Sequence, residues 1–429
     1  MSEYIEITGG APVSGVVPIS GAKNAALPMM MASLLTAEGC VFHNTPNLED
    51  VNLTLHLLEH FGAETEFIGS RIRIAVPNLK ATEASYSLVK ALRASFWVLG
   101  PLLARGRAAR VALPGGDIIG ARPVDMHLAA LGQMGADIKV KHGVVYAAAP
   151  DGLRGAAIDL RFPSVGATHQ IIMAAALAKG TTIIQGAARE PEVVALADMI
   201  NAMGGMVEGA GTSHIVIHGR DELGACDVQL IGDRIEAGTY LLLACAAGGS
   251  VRAQGVDPQH LGKFLDILEI CGMSVTRGAD FVQVARTANF NPVQVITGPF
   301  PELATDLQAP LMAALCFATG TSSIEETVFE GRFGHVSELC RMGADIRVSD
   351  RVALVHGGQK LSGALVEAHD IRAGAALVIA AAGSEGLTQI QEIHHLRRGY
   401  DALESKLRGL GLSVGTKHHD AEDSMFTGC

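Results

Sequence analysis

Apolar and polar positions along this chain follow a pattern that recurs about every 70 residues. In each copy, an apolar stretch of helical length leads through a glycine into a short strand of alternating apolar and polar residues. The glycines form two interleaved series, Gly62, Gly135, Gly204, Gly272, Gly343 and Gly411, and Gly39, Gly106, Gly180, Gly249, Gly320 and Gly386. Because both series have the same period, the pattern predicts six copies of one supersecondary unit.

Each glycine marks the end of a helix, where a left-handed backbone conformation turns the chain into the next strand. The repeated unit is therefore helix–strand–helix–strand with short additional strands, which is an α/β architecture. Six such units are about twice the size of an ordinary domain, so we expect two domains of three units each.

Charge and composition narrow the functional classes. The chain has 33 Lys and Arg against 44 Asp and Glu, a net charge of −11, which argues against broad binding of nucleic acid or anionic membranes. Its seven cysteines are scattered without a C-x-x-C pair, so we expect neither a disulfide framework nor a structural zinc site. Apolar runs such as 373–383 have about half the length of a membrane span. With no signal-peptide pattern at the start, these features predict a cytoplasmic protein.

The first turns of one predicted helix series point to an anion. These helices begin at 20–24, 93–95, 164–168, 233–236, 305–308 and 370–372. Ser, Thr and Asp there are ordinary N-caps, and 233–236 and 305–308 resemble capping boxes, which is a sufficient structural explanation. Lys23, Arg234 and Arg372, however, oppose the helix dipole unless an anion lies beside them. If the two domains turn these ends toward each other, the pattern predicts an anionic substrate between them.

Two further segments are candidates for binding a charged ligand. The segment 113–123 contains three glycines, two prolines, one acid and one arginine. This composition is typical of a mobile loop that closes over a ligand, although a plain surface loop fits it equally well. Lys90, Arg93 and Trp97 are spaced to share one helical face, either as a solvated face with an anchoring Trp or as a basic strip. The histidines show no metal-ligand spacing, so we expect no metal site.

An ordered set of short motifs runs through the whole chain. The motifs are SGAKNAALP from Ser20, LRAS from Leu92, GARPVD from Gly120, SVGAT from Ser164, AREPE from Ala188, DRIE from Asp233, TD from Thr305, VFEGRF from Val328 and RGY from Arg398. Together they make the chain similar to the UDP-N-acetylglucosamine enolpyruvyl transferase family, from about residue 4 to residue 414. The order of the motifs carries this resemblance, since no single motif is specific enough.

The resemblance implies an α/β fold of the EPSP synthase-like kind, with two inside-out α/β barrel domains of three repeats each. This agrees with the repeat count from the glycine series. We expect the first domain at 22–231, with the mobile loop 113–123, and the second at 1–21 and 232–429. The polar tail 417–429 follows the last predicted strand and is expected to be frayed.

The resemblance also implies the reaction. Members of the family transfer the enolpyruvyl group of phosphoenolpyruvate to the 3′-hydroxyl of UDP-N-acetylglucosamine and release phosphate, which is the first committed step of peptidoglycan synthesis. The route is addition followed by elimination, through a tetrahedral intermediate. The family uses no metal or organic cofactor, and the implied partners are the two small-molecule substrates. The resemblance leaves the oligomeric state open, and a monomer is compatible with it.

Residue roles follow from the resemblance, position by position. Lys23, Asn24, Arg122 and Arg398 match residues that bind phosphoenolpyruvate, a trianion that needs a cluster of cations. Lys23 and Arg398 are also catalytic by this match. Asp306 matches a catalytic residue beside the sugar, where it accepts the proton of the 3′-hydroxyl.

A second set of positions matches the nucleotide-sugar contacts of the family. These positions are Asn24, Arg93, Arg122, Pro123, Val124, Asp125, Met126, Ser164, Val165, Gly166, Asp306 and Val328. Phe162-Pro163 occurs in one branch of the family, whereas other members have a Lys there. Arg161 is a candidate for the phosphate contact that this Lys would make.

Asp117 is the main departure from the family pattern. The commonest residue there is Cys, which acts as general acid and is the target of fosfomycin. A thiol is protonated at neutral pH, whereas an aspartate is almost fully ionised, so Asp117 needs a raised pKa to donate a proton. We therefore expect an active enzyme with a lower pH optimum than a Cys form. Because epoxide alkylation needs a strong nucleophile, we also expect insensitivity to fosfomycin.

Three other functions compete with this interpretation. The shikimate-pathway enolpyruvyl transferase shares the fold, but its expected Asn-Ala-Gly-Thr loop is absent. RNA 3′-terminal phosphate cyclase has a related fold, and would need a nucleotidylated His and a more basic face. A catalytically silent regulator that binds UDP-sugars is the third, because Asp117 replaces the usual acid. Intact Lys23, Asp306 and Arg398 argue against a silent protein.

Overall fold

The computed structural model describes residues 3–90, 92–114, 120 and 123–418. Its α-helices are α1 (Lys23–Ala32), α2 (Glu49–His60), α3 (Tyr86–Lys90), α4 (Leu99–Gly106), α5 (Asp125–Gln133), α6 (Val165–Ala175), α7 (Pro191–Ala202), α8 (Arg234–Ala247), α9 (Gly262–Ile270), α10 (Gln308–Leu315), α11 (Val336–Arg341), α12 (Ile371–Gly383), α13 (His394–Arg397) and α14 (Leu403–Gly409). Short 3₁₀ helices are formed by Ser33–Leu35, Arg93–Val98, Pro258–Leu261 and Thr305–Leu307.

The strands alternate with these helices along the chain. They are β1 (Glu3–Gly9), β2 (Val13–Pro18), β3 (Gly39–His43), β4 (Glu64–Ile68), β5 (Arg71–Ala75), β6 (Glu83–Ala84), β7 (Ala108–Ala112), β8 (Asp137–Lys141), β9 (Val144–Ala148), β10 (Ala157–Asp159), β11 (Thr181–Gln185), β12 (Val207–Glu208), β13 (His214–His218), β14 (Cys226–Gln229), β15 (Gly249–Gln254), β16 (Ser274–Arg277), β17 (Phe281–Ala285), β18 (Gln294–Ile296), β19 (Thr321–Glu325), β20 (Asp345–Ser349), β21 (Val352–His356), β22 (Leu365–Glu367), β23 (Gly386–Gln391) and β24 (Ser413–His418).

The described strands form six four-stranded sheets with one shared topology. Their strand orders are β14-β3-β5-β4, β6-β7-β9-β8, β10-β11-β13-β12, β2-β15-β17-β16, β18-β19-β21-β20 and β22-β23-β1-β24. In every sheet the first pair of strands is parallel and the next two pairs are antiparallel. The six-fold repeat and the α/β fold class predicted from the glycine series are therefore confirmed.

Each repeat has one buried and one half-buried helix. The buried helices are α1, α4, α6, α8, α10 and α12, and α10 is buried at every position. Such helices are apolar on all sides, as expected for helices enclosed in a core. The second helix of a repeat buries only one face, as in α9, where Phe264, Leu265, Ile267 and Leu268 are buried. Among the described residues, no helix is long and apolar enough to cross a membrane.

The described residues divide into two compact units. The first unit comprises 21–114 and 123–231, and the second comprises 3–20, Gly120 and 232–418. Each unit has three of the six sheets and its own apolar core, which includes Phe42 and Phe61 in the first unit and Ile5 and Tyr240 in the second. In the second unit, α8, α10 and α12 contact one another around the core.

The helix-ending glycines behave largely as the sequence predicts. All six in the first series have left-handed backbone conformations, with φ between 88° and 101°. In the second series, four do so, whereas Gly39 and Gly106 do not. After α4 the left-handed residue is Arg107, with φ 61°, one position later than predicted. The predicted helix starts are confirmed, since the six helices or 3₁₀ turns begin at 23, 93, 165, 234, 305 and 371.

The two predicted capping boxes were wrong or only half right. Asp233 caps α8 by accepting two first-turn amides at 2.8 and 3.0 Å, but the Glu236 carboxylate accepts a hydrogen bond from the backbone N of Ser20 instead of returning to Asp233. Thr305 is no cap, because its hydroxyl donates to Glu326 at 2.8 Å. In both cases a tertiary neighbour outcompetes the local partner.

The predicted basic strip and tail also differ from the structure. Lys90 ends α3 and Arg93 begins a separate 3₁₀ helix, because Leu92 between them is extended, with φ −140° and ψ 110°. No common helical face therefore joins Lys90 to Trp97. At the other end of the chain, Lys417 and His418 belong to β24 and pair with β1, so regular structure extends two residues into the predicted tail. Residues 419–429 lie outside the described residues.

Candidate active site

Asp306 in the second unit lies between two arginines. It belongs to the 3₁₀ turn before α10, which places its carboxylate at the start of a buried helix. Nη2 of Arg332 lies 2.7 Å from Oδ1, and Nη2 of Arg372, in the first turn of α12, lies 2.9 Å from Oδ2. Both arginine side chains are almost fully buried, whereas a quarter of the Asp306 side chain is exposed. The carboxylate is therefore accessible to a small ligand while both of its oxygens are held.

The two arginines determine the charge of Asp306. Burial alone would raise the pKa of this carboxyl group, but the charges of Arg372 and Arg332 and their hydrogen bonds outweigh burial and hold the pKa well below its usual range. Asp306 is therefore ionised at any physiological pH. In the sequence, Arg372 is recognisable only as part of a helix start, and Arg332 only as part of a motif. Neither position predicts a contact with Asp306.

A buried glutamate connects this cluster to the predicted sugar contact Val328. Glu326 is fully buried, and its Oε1 accepts the backbone N–H groups of Val328 and Phe329 at 2.8 and 3.1 Å. Its Oε2 accepts the hydroxyl of Thr305, the residue before Asp306. The segment that carries Val328 and the turn that carries Asp306 are thus held by the two oxygens of one carboxylate. The sequence analysis missed Glu326, for which its position just before the VFEGRF motif was the only signal.

Arg398, a predicted phosphoenolpyruvate ligand, is also in the second unit. It is half-buried and directly follows α13. Two residues later, the Tyr400 hydroxyl lies 3.2 Å from Nη1 of Arg372. The segment with Arg398 therefore leads directly to a group that contacts the Asp306 cluster.

The predicted residues Lys23 and Asn24 open the buried helix α1 in the first unit. The Lys23 ammonium is buried and lies 3.1 Å from Oδ2 of Asp50, in the first turn of α2. Asn24 is half-buried at the second position of the helix. The cation that opposes the helix dipole of α1 therefore has a protein carboxylate as a partner, which the sequence analysis did not predict.

The predicted sugar contacts Ser164, Val165 and Gly166 form the start of α6. Ser164 caps the helix, and its Oγ accepts the backbone N–H of Ala167 at 3.3 Å. Gly166 lies so close to two aromatic side chains that an added Cβ would come within 3.1 Å of both His127 and Trp97. Only glycine therefore fits at 166 without displacing them. Arg93, half-buried, begins the 3₁₀ helix that carries Trp97.

His127 next to Gly166 is a buried residue that the sequence analysis overlooked. Its Nδ1 is hydrogen-bonded to Oε1 of Gln170 in α6. Burial lowers the pKa of His127 to about 4, so its ring is neutral at physiological pH. The neutral ring of His127 therefore provides an uncharged hydrogen-bonding group beside Gly166.

The other predicted positions lie around the start of α5. Pro123 is exposed and Val124 half-buried, and Asp125 begins the helix, followed by half-buried Met126. Nη2 of Arg161 lies 2.5 Å from Oδ2 of Asp125, so this arginine is already paired.

Asp117 and Arg122 lie outside the described residues. The described part of the chain has no group of three or more His, Cys, Asp or Glu residues arranged to hold a metal ion.

The sequence of this chain matches known proteins over nearly its whole length. The sequence model of the family described as EPSP synthase (3-phosphoshikimate 1-carboxyvinyltransferase) matches residues 7–407. A UDP-N-acetylglucosamine 1-carboxyvinyltransferase of Methylocella silvestris is 48% identical over 96% of this chain and 99% of the relative. One of Trichlorobacter lovleyi is 47% identical over 95% of this chain and 97% of the relative.

Solved structures share the fold. The enolpyruvyl transferase NikO of Streptomyces tendae superposes with a TM-score of 0.88 at 26% identity, covering 98% of this chain and all of that one. EPSP synthase of Acinetobacter baumannii superposes with a TM-score of 0.76 at 18% identity, covering 97% and 100% of the two chains. The second comparison supports the fold alone, and with the first it confirms the predicted EPSP synthase-like architecture.

Proposed function

Since this chain belongs to the family of UDP-N-acetylglucosamine 1-carboxyvinyltransferases, we propose that it transfers the enolpyruvyl group of phosphoenolpyruvate to the 3′-hydroxyl of UDP-N-acetylglucosamine, with release of phosphate. This is the first committed step of peptidoglycan biosynthesis. The observation that carries the proposal is the partly exposed Asp306 carboxylate between Arg332 and Arg372. The attacking hydroxyl needs a base and the anionic phosphoenolpyruvate needs cations, and the two must lie close together.

Phosphoenolpyruvate is assigned to Lys23, Asn24, Arg122 and Arg398. Its phosphate and carboxylate together carry about three negative charges, and buried cations stabilise such charge more strongly than exposed ones. Lys23 supports this assignment because it is a buried ammonium at the start of a helix, where anions are favoured.

UDP-N-acetylglucosamine is assigned to the remaining predicted positions and to Asn24. These are Arg93, Arg122, Pro123, Val124, Asp125, Met126, Ser164, Val165, Gly166, Asp306 and Val328. The tight packing of Gly166 against Trp97 and His127 supports a sugar-nucleotide surface formed by backbone and neutral side chains at the start of α6.

The chemistry proceeds in two stages. The 3′-hydroxyl attacks C2 of phosphoenolpyruvate, Asp306 accepts the hydroxyl proton, and Asp117 donates a proton to C3. Elimination then removes a proton from C3 and phosphate from C2, which leaves the enolpyruvyl ether. The arginines keep Asp306 ionised and able to accept a proton. The multiply anionic substrate competes with Asp306 for cationic partners, which raises the proton affinity of the carboxylate in the complex.

The cellular setting belongs to the same proposal. We place the enzyme in the cytoplasm, with its two small-molecule substrates as partners and with no cofactor. The net charge of −11 argues against nucleic acid and anionic membranes as partners. A monomer is compatible with the assignment, since each unit has its own core.

The test is phosphate release from phosphoenolpyruvate, with and without UDP-N-acetylglucosamine, between about pH 5.5 and 8.5. We expect release that depends on the sugar nucleotide. Asp306→Asn keeps the shape of the side chain but removes its negative charge, so release should fall at least about a hundredfold while sugar-nucleotide binding persists in calorimetry. Binding without any release in the unmodified protein would identify a silent regulator. Release that depends on shikimate 3-phosphate instead would identify the shikimate-pathway reaction.

A further inference from the structure

Each of the two arginines that bind Asp306 also contacts a hydroxyl group through its other terminal nitrogen. Arg372 uses Nη2 for Asp306 and Nη1 for the hydroxyl of Tyr400, at 3.2 Å. Arg332 uses Nη2 for Asp306 and Nη1 for the hydroxyl of Thr305, at 3.1 Å. Each guanidinium is thus fixed at two of its nitrogens, and one of the two contacts is a neutral hydroxyl.

Donor and acceptor chemistry determines the direction of the hydrogen bonds behind Arg372. A guanidinium only donates, so the Tyr400 oxygen accepts from Arg372. The Tyr400 oxygen also lies 3.0 Å from Oγ1 of Thr239, and Thr239 donates its one proton to the backbone O of Ile235 at 2.9 Å. Tyr400 must therefore donate to Thr239. These hydrogen bonds therefore all point the same way, from Arg372 through Tyr400 and Thr239 to the first-turn carbonyl of Ile235 in α8.

The surroundings of Tyr400 favour a neutral, protonated hydroxyl that can donate to Thr239. Tyr400 is buried, with 2% of its surface exposed. Burial raises the pKa of its hydroxyl, so it stays protonated. Asp306 and Asp233 are the acidic groups that act most strongly on Arg372, Asp233 also acts on the Tyr400 hydroxyl, and Asp306 is further faced by Arg332. The neutral phenol of Tyr400 therefore adds no further charge to this cluster.

We propose that Tyr400 is a positioning residue, which aims Arg372 at Asp306 and is itself held in place by Thr239. The inference rests on the proposed function, in which Asp306 accepts the proton of the sugar hydroxyl. A long arginine side chain has several rotamers, and one contact to a carboxylate leaves its guanidinium free to turn. The second contact, to Tyr400, removes that freedom and fixes which carboxylate oxygen Arg372 binds. Oδ1 and Oδ2 of Asp306 then keep separate partners.

The chain contains a closely matched control. Tyr240 follows Thr239 in α8 and lines the same small cavity as Tyr400. Its hydroxyl has no hydrogen-bond partner among the described residues. Tyr240→Phe and Tyr400→Phe therefore make the same chemical change in the same surroundings, but only the second removes a contact to Arg372.

The experiment compares Tyr400→Phe, Tyr240→Phe, Thr239→Val and Thr239→Ser with the unmodified enzyme. For Tyr400→Phe we expect kcat to fall on the order of tenfold, because a slightly misplaced group slows the reaction, while KM for the sugar nucleotide changes less than about twofold. Thr239→Val should lower kcat in the same direction, and Thr239→Ser, which keeps the hydroxyl, should restore it. Tyr240→Phe should behave like the unmodified enzyme.

A pH profile separates positioning from general damage to the fold. With Arg372 free to turn, Asp306 loses part of its positive surroundings, so the acidic limb of kcat should move to higher pH by at least about half a unit in Tyr400→Phe. The loss of the fixed Arg372 contact should also appear without substrates, as a changed ¹³C chemical shift of the Asp306 carboxyl carbon at neutral pH. This second measurement does not depend on which reaction the enzyme catalyses.

Two results would overturn the inference. One is a Tyr400→Phe enzyme whose pH profile and Asp306 carboxyl chemical shift match those of the unmodified protein. The other is an equal loss of kcat in Tyr240→Phe and Tyr400→Phe, because a hydroxyl without a partner would then matter as much as the one on Arg372. If the unmodified protein releases no phosphate, the proposed function fails, and the carboxyl chemical shift alone decides whether Tyr400 positions Arg372.

Discussion

Buried charged side chains in this protein lie beside partners, and the balance between burial and partner charge differs from site to site. At Asp306, two arginines outweigh the cost of burial and keep the pKa of the carboxyl low. At Glu236, burial dominates and raises the pKa to about 7, although Nζ of Lys406 lies 2.6 Å away. Two arginines thus outweigh burial at the partly exposed Asp306, whereas one lysine does not outweigh it at the more deeply buried Glu236.

Glu236 gives a prediction about stability and pH. Its folded-state pKa of about 7 exceeds the reference value of 4.5, so the folded protein retains a proton that the unfolded chain has already lost. The contribution of Glu236 to the free energy of unfolding should therefore fall as pH rises from about 4.5 to about 7, whereas buried His127, with its lowered pKa, acts in the opposite direction. The Glu236 contribution should change by up to about 3 kcal/mol, since each pKa unit is worth about 1.4 kcal/mol. Glu236→Gln should remove this contribution alone, so the difference in free energy of unfolding between the two proteins should change with pH, as measured by urea unfolding at several pH values.

The control for Glu236→Gln is Glu64→Gln, at an exposed position in β4. This variant should keep the pH dependence of the unmodified protein. A difference in free energy of unfolding between Glu236→Gln and the unmodified protein that stays constant from about pH 4.5 to about pH 7 would contradict the prediction.

Asp117 gives a prediction at the same scale. A carboxylate is a poor nucleophile toward an epoxide compared with a thiolate, so preincubation with fosfomycin should leave phosphate release unchanged. Asp117→Cys should become sensitive, and its pH optimum should lie higher because a thiol keeps its proton to higher pH. Intact-mass measurement after preincubation checks both forms. A covalent adduct at residue 117 of the unmodified protein would refute the prediction.

At the scale of elements, side chains satisfy the backbone groups that helix and strand ends leave open. Arg105, near the end of α4, donates Nη1 to the carbonyls of Leu34 and Thr36 at 3.1 and 2.7 Å. Its Nη2 donates to the carbonyls of Val76 and Pro77 at 2.8 and 3.2 Å. One guanidinium thus joins the 3₁₀ helix after α1 to the end of β5.

The forked geometry of Arg105 leads to a stability prediction. Arg105→Lys keeps the positive charge but replaces the forked guanidinium with a single ammonium group, so several of the four carbonyls lose their donor. We expect the free energy of unfolding to fall by about 2 kcal/mol, measured by urea denaturation. Arg154→Lys, at an exposed position, should change it by less than about 0.5 kcal/mol. Equal stability of the two variants would show that the carbonyls find other partners.

At the scale of the whole molecule, the two units differ in how the chain builds them. The first unit lies within one continuous segment, from 21 to 231. The second requires the N-terminal strands, because β1 lies between β23 and β24 in the interior of its sheet and β2 pairs with β15. A sheet without its interior strand loses the backbone partners of both neighbours.

This topology predicts different outcomes for two fragments. The segment 21–231, expressed alone, should fold and unfold cooperatively in calorimetry, because it contains three complete sheets and its own core. The segment 232–429 should show no cooperative transition, since it lacks β1 and β2. A fragment that joins 1–20 to 232–429 through a short linker should recover the transition. A cooperative transition of 232–429 by itself would contradict the prediction.

Much of the fold followed from the sequence, because local patterns determine it. Helix starts, helix-ending glycines and the six-fold repeat depend on residues a few positions apart, and short-range hydrophobic periodicity encodes these directly. The exceptions, such as Arg107 taking the left-handed position in place of Gly106, are single-residue shifts at element ends.

The sequence by itself determined the repeat, the fold class and the resemblance to one family of transferases. Only the tertiary structure decided which charged side chains contact one another. Arg332 and Arg372 are 26 and 66 positions from Asp306, and Lys23 is 27 positions from Asp50. No periodic pattern encodes such pairs, because they depend on how helices and loops pack within and between repeats and on which polar groups burial leaves without water. The surroundings of Asp306 therefore became visible only once the chain was folded.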